Sequence, residues 1–141
     1  GYIPQNVKLF ESTILDNIRY TCSKTITKLY LDNWIMEKGV RHILMKNSQD
    51  INYLERNVGV AGSELSGGQK QIIIILRTFL ANKCSKSKKT IFILDEPTSA
   101  LDPKTANIII ELLKEFSKVY TIIIITHDKN VAEKCHQSLL I

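Results

Sequence analysis

The fold is decided by residues 90–128, which read TIFILDEPTSALDPKTANIIIELLKEFSKVYTIIIITHD. Two runs, 90–94 and 120–125, are apolar on both faces, as parallel strands covered by helices on both sides require. Between them, Asp102 suits a helix N-cap and Pro103 suits the first helical position. The apolar face of that helix is formed by Ile109, Leu112, Leu113 and Phe116. The sequence therefore predicts a strand–helix–strand unit of the α/β class.

Polar side chains follow both predicted strands. Asp95 and Glu96 come after the first strand, and Thr126, His127 and Asp128 come after the second. Ligands bind outside the carboxyl ends of such strands, and an ATPase places a magnesium-binding Asp and a water-orienting base there. Adjacent side chains on an extended segment point opposite ways, so we expect the two carboxylates to take different roles. A helix cap or a solvated turn is the alternative interpretation of this acidic pair.

A second motif, Leu65-Ser66-Gly67-Gly68-Gln69, precedes an apolar helix predicted over residues 71–80. Ser66 is a suitable N-cap, and the two glycines would let a ligand approach the backbone closely. The N-terminus of a helix offers N–H groups and the positive end of the helix dipole, which together favour an anion. A capped helix that begins after a glycine turn is the alternative.

Length and composition limit the function classes. The 141 residues, 44% hydrophobic and 23% charged, fit one soluble globular domain and argue against disordered or collagen-like chains. The net charge of +5 comes from scattered bases. Their tightest group is Lys83, Lys86, Lys88 and Lys89. We interpret this group as a solvated loop, so no nucleic-acid partner is expected. The longest apolar runs are too short to cross a bilayer.

The remaining patterns are weaker. Helical spacing occurs within residues 11–56, at Ile14 and Ile18 and then again in a second stripe. That stripe consists of Ile26, Leu29, Tyr30 and Trp34. The cysteines, Cys22, Cys84 and Cys135, show no CxxC spacing and leave an odd count. They predict a reducing compartment, with neither a disulfide framework nor a zinc site.

The motifs LSGGQ, IFILDEPTSALD and IIIITHD, in this order, resemble the ATPase domain of ATP-binding-cassette (ABC) proteins. In that family they are the signature motif, the Walker B strand with its D-loop, and the H-loop. Residues 2–6, YIPQN, together with residues 9–10 and 13–18, resemble the Q-loop region of exporter-type members. Residues 59–65 resemble the exporter X-loop. The resemblance covers nearly the whole chain and implies an α/β P-loop-NTPase (RecA-like) core with an inserted helical subdomain.

The resemblance implies roles at the strand ends. Asp95 would hold Mg²⁺ through water, and Glu96 would be the general base that orients the attacking water. His127 would contact the γ-phosphate of ATP. Gln5 would sense Mg²⁺ and nucleotide and couple the ATPase to the transmembrane part.

It also implies partners. Ser66, Gly67, Gly68 and Gln69 would contact the γ-phosphate of ATP held by a second ABC ATPase domain in a head-to-tail dimer. Leu65 would belong to the same nucleotide-binding stretch. Asp102 would act across that dimer interface. The transmembrane domains of a transporter would be a further partner, which places the ATPase domain at a membrane, on its cytoplasmic or organelle-internal face.

The sequence departs from the family pattern at several positions. These 141 residues contain no Gly-x-x-x-x-Gly-Lys-Ser/Thr and no Gly-Lys pair, so the phosphate-binding P-loop is not among them. Position 72 is Ile where Arg is usual, Val60 replaces an acidic X-loop residue, and Pro97 stands where many exporters have Ala. We therefore expect a partial cassette, with negligible ATPase activity on its own.

Within that cassette we expect three segments: a Q-loop region at 1–9, a helical subdomain at 10–64, and the signature helix with the C-terminal part of the core at 65–141. A further strand is expected near Ile141. The function implied is ATP binding and hydrolysis that drives an exporter. Two alternatives stay open: a soluble cassette ATPase of translation or DNA maintenance, and a non-hydrolysing partner module. The DNA-maintenance type carries a long coiled coil, and residues 11–64 show no heptad run.

Overall fold

The computed structural model describes residues 1–6, 8–22, 26–99 and 101–137. The elements, in chain order, are β1 (Tyr2–Ile3), α1 (Ile14–Arg19), α2 (Lys28–Glu37), α3 (Arg41–Leu44), α4 (Gly67–Cys84), β2 (Ile91–Asp95), α5 (Pro103–Ser117), β3 (Thr121–Ile125) and α6 (Lys129–Ala132). Single 3-10 turns, Tyr53–Glu55 and Val60–Gly62, lie between α3 and α4. The strand expected near Ile141 lies outside the described residues.

The strands form one parallel sheet in the order β1-β2-β3. Its register pairs Ile3 with Leu94 and Asp95 with Ile125, which brings the carboxyl ends of the strands to one edge. The predicted strand–helix–strand unit is confirmed, with bounds shifted by one residue. Asp102 caps α5 and Pro103 is at its start, as the sequence predicted. The α/β class is therefore confirmed.

One face of this sheet is buried in the described part of the chain. Phe92 and Leu94 are buried, whereas Ile91, Ile123 and Ile125 on the other face are 45–51% exposed. The buried face is covered by α4 and α5, whose Phe79 and Phe116 rings stack at 3.8 Å between centroids. Phe79 also lies 4.5 Å from the Phe92 ring. The prediction that helices cover both faces is wrong for the described residues.

Helix α4 is longer than predicted. It runs for 18 residues from Gly67 to Cys84 and buries every residue of the apolar run 72–76. Helix α1 buries Ile14 and Ile18 as expected and packs against α4. Among the residues described, no helix combines the length and the apolar character needed to cross a membrane.

The predicted stripe of α2 is wrong in part. Trp34 is buried, but Leu29 is 70% exposed. The buried residues of α2 are Leu31, Trp34 and Ile35, spaced at i, i+3 and i+4. The helix begins after Thr27, whose hydroxyl accepts a hydrogen bond from the Tyr30 backbone. Two overlapping apolar stripes exist in so short a helix, and the contacts of the core select between them.

The prediction that the cysteines form no disulfide framework is also wrong. Cys22 and Cys84 form a disulfide with Cα atoms 5.8 Å apart, although they lie 62 positions apart in the sequence. The pairing follows from the packing of α1 against α4, because Cys22 lies three residues beyond α1 and Cys84 ends α4. Spacing rules detect cysteines that are close in sequence, and this pair meets only through tertiary contacts.

Candidate functional site

The backbone at Glu96 has an unusual conformation. Glu96 directly follows β2 and has φ of +48°, in the left-handed region that residues with a Cβ rarely adopt. Its backbone N–H donates to the Ile125 carbonyl at 2.8 Å, so the last residue of β3 holds this turn. Such strained conformations cluster at functional sites, where the surrounding structure holds them.

The Glu96 carboxylate is held by the residues that follow β3. Thr126 Oγ1 donates to Oε2 at 3.3 Å, and the His127 backbone N–H donates to Oε1 at 2.9 Å. His127 Nδ1 lies 2.6 Å from the same Oε1. The side chain of Glu96 is 15% exposed and that of His127 is 83% exposed. The result is an oriented carboxylate beside an accessible imidazole, a suitable arrangement for a general base.

Asp95 faces a different neighbour from Glu96. Tyr2 Oη on β1 donates to Asp95 Oδ2 at 3.2 Å, whereas Glu96 contacts the end of β3. Desolvation raises the pKa of Tyr2, and the hydrogen bond to Asp95 raises it further. The two carboxylates diverge as the sequence predicted. The left-handed turn at Glu96, rather than the pleat of an extended strand, separates them.

Gln5 also joins this edge of the sheet. Its Nε2 donates to Ser99 Oγ at 3.2 Å, across 94 residues of sequence. Ser99 lines an open cleft of about 440 Å³ together with Glu96 and His127. The structure therefore brings Gln5, Asp95, Glu96 and His127 to the carboxyl edge of one sheet.

The signature stretch forms a complete capping box at the start of α4. Ser66 Oγ accepts from the Gln69 backbone N–H at 3.2 Å, and Gln69 Oε1 accepts from the Ser66 N–H at 3.1 Å. Gln69 Nε2 donates to the Ile43 carbonyl at 2.8 Å. The N-cap prediction for Ser66 is confirmed. Both ends of the Gln69 amide are used within the chain, so this side chain holds the turn and ties it to α3.

The starts of α4 and α5 lie side by side. A Cβ on Gly68 would overlap Thr105 Cγ2, and one on Gly67 would lie 3.2 Å from Leu101 Cδ2. Asp102 Oδ1 accepts from the Thr105 N–H at 3.0 Å, and the bonds to Thr105 lower the pKa of Asp102. Close helix packing is thus a reason for glycine at position 68 that the sequence did not reveal.

Leu65 is buried directly before this capping box. Within the described ranges, the hydrogen bonds of Ser66 and Gln69 stay near α3 and α4 and reach neither Glu96 nor His127. The predicted site residues therefore form two groups. Leu101 borders both, because it lines the cleft beside Glu96 and packs against Gly67.

The donor set suits a metal ion that arrives with phosphate. Among the described residues, no group of three or more His, Cys, Asp or Glu side chains could hold a metal alone. Asp95 supplies one carboxylate at the sheet edge. Mg²⁺ in phosphoryl-transfer sites is bound by one or two carboxylates, with water and substrate phosphates as the other ligands. The Asp95 carboxylate is therefore a donor of the kind that Mg²⁺ takes in such sites.

Sequence reasoning assigned no role to three residues of the site: Tyr2, Ser99 and Thr126. Each lies within a quoted motif, and Thr126 follows a predicted strand. Their contacts to Asp95, Gln5 and Glu96 cross 30 to 94 residues of sequence. Position directly after a strand was a sequence signal for Thr126 alone.

Known proteins resemble this chain along almost all of it. A family model described as "RecF/RecN/SMC N terminal domain" matches residues 12–141. An ATP-dependent lipid A-core flippase of Vibrio vulnificus (strain CMCP6) is 34% identical over 139 residues, or 99% of this chain and 22% of the flippase. The ABC multidrug transporter mdr4 of Aspergillus fumigatus is 32% identical over 144 residues, or 100% of this chain and 10% of the transporter.

A solved structure of a bacterial Atm1-family ABC exporter with ATP bound has the same fold, with a TM-score of 0.72 and 29% identity. The alignment covers 94% of this chain and 22% of the exporter chain. The chain thus spans about a fifth of that exporter and of the flippase, and a tenth of the multidrug transporter. Its family model places the chain in the RecF/RecN/SMC N terminal domain family of P-loop NTPases. Its relatives and its fold show that it is an exporter-like ATP-binding-cassette segment.

Proposed function

We propose that this chain is part of the ATPase of an ABC exporter and couples ATP binding and hydrolysis to transport across a membrane. The observation that carries the proposal is the distance of 2.6 Å between Glu96 Oε1 and His127 Nδ1, at the ends of two adjacent parallel strands. Glu96 directly follows Asp95 in the sequence. The relatives include a flippase, a multidrug transporter and an exporter, which supports transport as the process that ATP hydrolysis drives.

Glu96 is the proposed general base. Its carboxylate is oriented by hydrogen bonds and lies at the cleft, where it can accept a proton from an attacking water. With Nδ1 beside Glu96, His127 is left with Nε2 for the γ-phosphate. We propose that His127 contacts the γ-phosphate through Nε2 while Nδ1 stays beside Glu96.

Asp95 would hold Mg²⁺ through water, and Gln5 would approach the ion and the nucleotide. Mg²⁺ bound there would neutralise negative charge on the β- and γ-phosphates. The contact between Gln5 and Ser99 supports a sensing role, because it connects the Q-loop to the segment that follows Glu96. A change at the nucleotide could thus move Gln5 through its hydrogen bond to Ser99.

The residues 65–69 and Asp102 would bind ATP on a second ABC ATPase domain in a head-to-tail dimer. Adjacent helix N-termini support this role, because the first N–H groups of a helix lack partners within it and favour anions. The P-loop that cradles ATP is not among these 141 residues, so we propose that the chain alone hydrolyses ATP negligibly.

We further propose that residues 10–64 form a helical subdomain inserted between the Q-loop region at 1–9 and the core at 65–141. This subdomain would contact transmembrane domains on the cytoplasmic or organelle-internal face. Val60, which is 67% exposed, replaces the usual acidic X-loop residue and would contribute an apolar rather than a charged contact. No nucleic acid enters this proposal.

A soluble ATPase of DNA maintenance is a second candidate, because the matched family model is named for RecF, RecN and SMC. The lengths of the helices before α4 speak against it. Helices α1, α2 and α3 have 6, 10 and 4 residues, too short for the long coiled coil of that type. A non-hydrolysing module is disfavoured because Glu96 and His127 are both present and in contact.

The test is Glu96→Gln in the full-length protein that carries this chain. We expect hydrolysis to fall by about 10²–10⁴-fold while ATP binding is kept, so that an ATP-bound dimer accumulates. The amide still accepts from the His127 N–H, so the turn should be preserved. Glu111→Gln is the matched control, since Glu111 lies on α5 with its side chain 67% exposed. Parent-rate hydrolysis by the Glu96 variant would refute the assigned base.

A further inference from the structure

The hydroxyl of Thr126 makes two hydrogen bonds, one on each side of the turn after β3. It donates to Glu96 Oε2 at 3.3 Å and accepts from the Asp128 backbone N–H at 3.1 Å. A hydroxyl has one proton to donate, so acceptance from Asp128 leaves that proton for the carboxylate. The direction of the hydroxyl is therefore set by the backbone of the loop that carries His127.

The second oxygen of Glu96 depends on this hydroxyl. Oε1 receives both contacts from His127, whereas Oε2 receives the bond from Thr126. A carboxylate that is hydrogen-bonded at one oxygen can still rotate about its last carbon–carbon bond. A hydrogen bond to the second oxygen fixes the plane of the carboxylate. Thr126 is half-buried, so this bond is partly shielded from competing water.

We propose that Thr126 is a positioning residue for the hydrolysis reaction, one that fixes the plane of the Glu96 carboxylate. The inference rests on the proposed function, in which Glu96 is the base. Thr126 touches neither water nor nucleotide in this role and acts through Glu96. Misplacement of a reacting group by about 1 Å costs up to about 10²-fold in rate, which sets the expected scale.

The experiment compares steady-state ATP hydrolysis by variants of the full-length protein. Thr126→Val keeps the shape of the side chain and removes the hydroxyl, and Thr126→Ser restores the hydroxyl. We expect the Val variant to lose about 10–100-fold in kcat with KM for ATP changed less than about threefold, and the Ser variant to recover most of kcat. Thr121→Val, at the opposite end of β3, is the control and should hydrolyse at the parent rate.

A double variant separates positioning from a general loss of structure. If Thr126 acts through Glu96, Thr126→Val should cost nothing further in a Glu96→Gln background. Equal fractional losses in both backgrounds would overturn the proposal, as would a Ser variant as slow as the Val variant. A slow Glu96→Gln variant with a normal Thr126→Val variant refutes only the positioning role. A normal Glu96→Gln variant refutes the proposed base and the positioning role with it.

Discussion

At the scale of single residues, Asn17 makes hydrogen bonds to distant parts of the described chain that no sequence pattern around it predicts. It is fully buried, and its side chain bonds both the N–H and the carbonyl of Phe10, at 2.9 and 3.0 Å. Arg77 of α4 donates to Asn17 Oδ1 and to its carbonyl, both at 2.6 Å, and burial lowers the pKa of Arg77. Asn17 thus ties the segment after the Q-loop to the signature helix.

Asn17→Ala should lower the free energy of unfolding by about 1–3 kcal/mol, because the part-buried polar groups of Phe10 and Arg77 would lose their partner. Denaturant unfolding of the chain measures this. Asn33→Ala is the matched control on the exposed side of α2 and should shift stability by less than about 0.5 kcal/mol. Equal losses of unfolding free energy for the two variants would mean that the hydrogen bonds of Asn17 stabilise the fold no more than an exposed asparagine does.

The same scale shows what sequence could predict. Ser66 and Asp102 were identified as caps because a cap is a local pattern of a few residues. The hydrogen bonds of Thr126, Tyr2 and Asn17 join residues far apart in sequence, so no local pattern specifies them. The chemistry of a residue type was readable from sequence, and its partner was not.

At the scale of elements, the contact between α4 and α5 requires glycine at position 68. Gly68→Ala would normally add about 1 kcal/mol of helix propensity, but its Cβ would overlap Thr105 Cγ2. We therefore expect a net loss of about 1–3 kcal/mol, as overpacking typically costs. Thr105→Ser removes Cγ2 and should restore most of the stability that Gly68→Ala loses. Thermal or denaturant unfolding of the single and double variants measures this.

Gly67→Ala supplies the control for this contact. Its Cβ would lie 3.2 Å from the flexible end of Leu101, which can shift by a few tenths of an ångström. We expect Gly67→Ala to leave stability within about 0.5 kcal/mol of the parent, in contrast to Gly68→Ala. If Gly68→Ala were as mild in the parent as with Thr105→Ser, close packing would not explain the second glycine of the motif.

The elements also show where pattern reasoning succeeds. The apolar face of α5 and the unit β2–α5–β3 were predicted because their periods are clear and their ends are marked by Asp102 and Pro103. The stripe predicted for α2 was wrong in part, because Leu29 and Leu31 are equally apolar and only the contacts of the core distinguish them. Whether a helix covers a given face of the sheet depends on tertiary packing, and the apolar runs of the strands do not encode that packing.

At the scale of the whole molecule, the disulfide between Cys22 and Cys84 closes a loop of 62 residues between α1 and the end of α4. Cys84→Ser should lower the free energy of unfolding by about 2–4 kcal/mol in non-reducing buffer, because the link restricts the unfolded chain. With excess reductant the parent and the variant should unfold alike. Cys135→Ser, which alters the free cysteine, is the control and should have little effect in either buffer. A Cys84 variant that matches the parent without reductant would show that the link does not form in solution.

The central claim is that the signature stretch acts on nucleotide held by a second ATPase domain. Size-exclusion chromatography of the full-length protein with ATP tests it, in the Glu96→Gln background that blocks hydrolysis. Gly67→Asp would place a carboxylate at the start of α4, where it repels phosphate, while Gly67→Ala adds the Cβ without charge. We expect an ATP-dependent dimer with Gly67→Ala and none with Gly67→Asp, although each subunit still binds ATP. A normal ATP-dependent dimer from the Gly67→Asp protein would mean that LSGGQ is only a capped helix start, and would contradict the account.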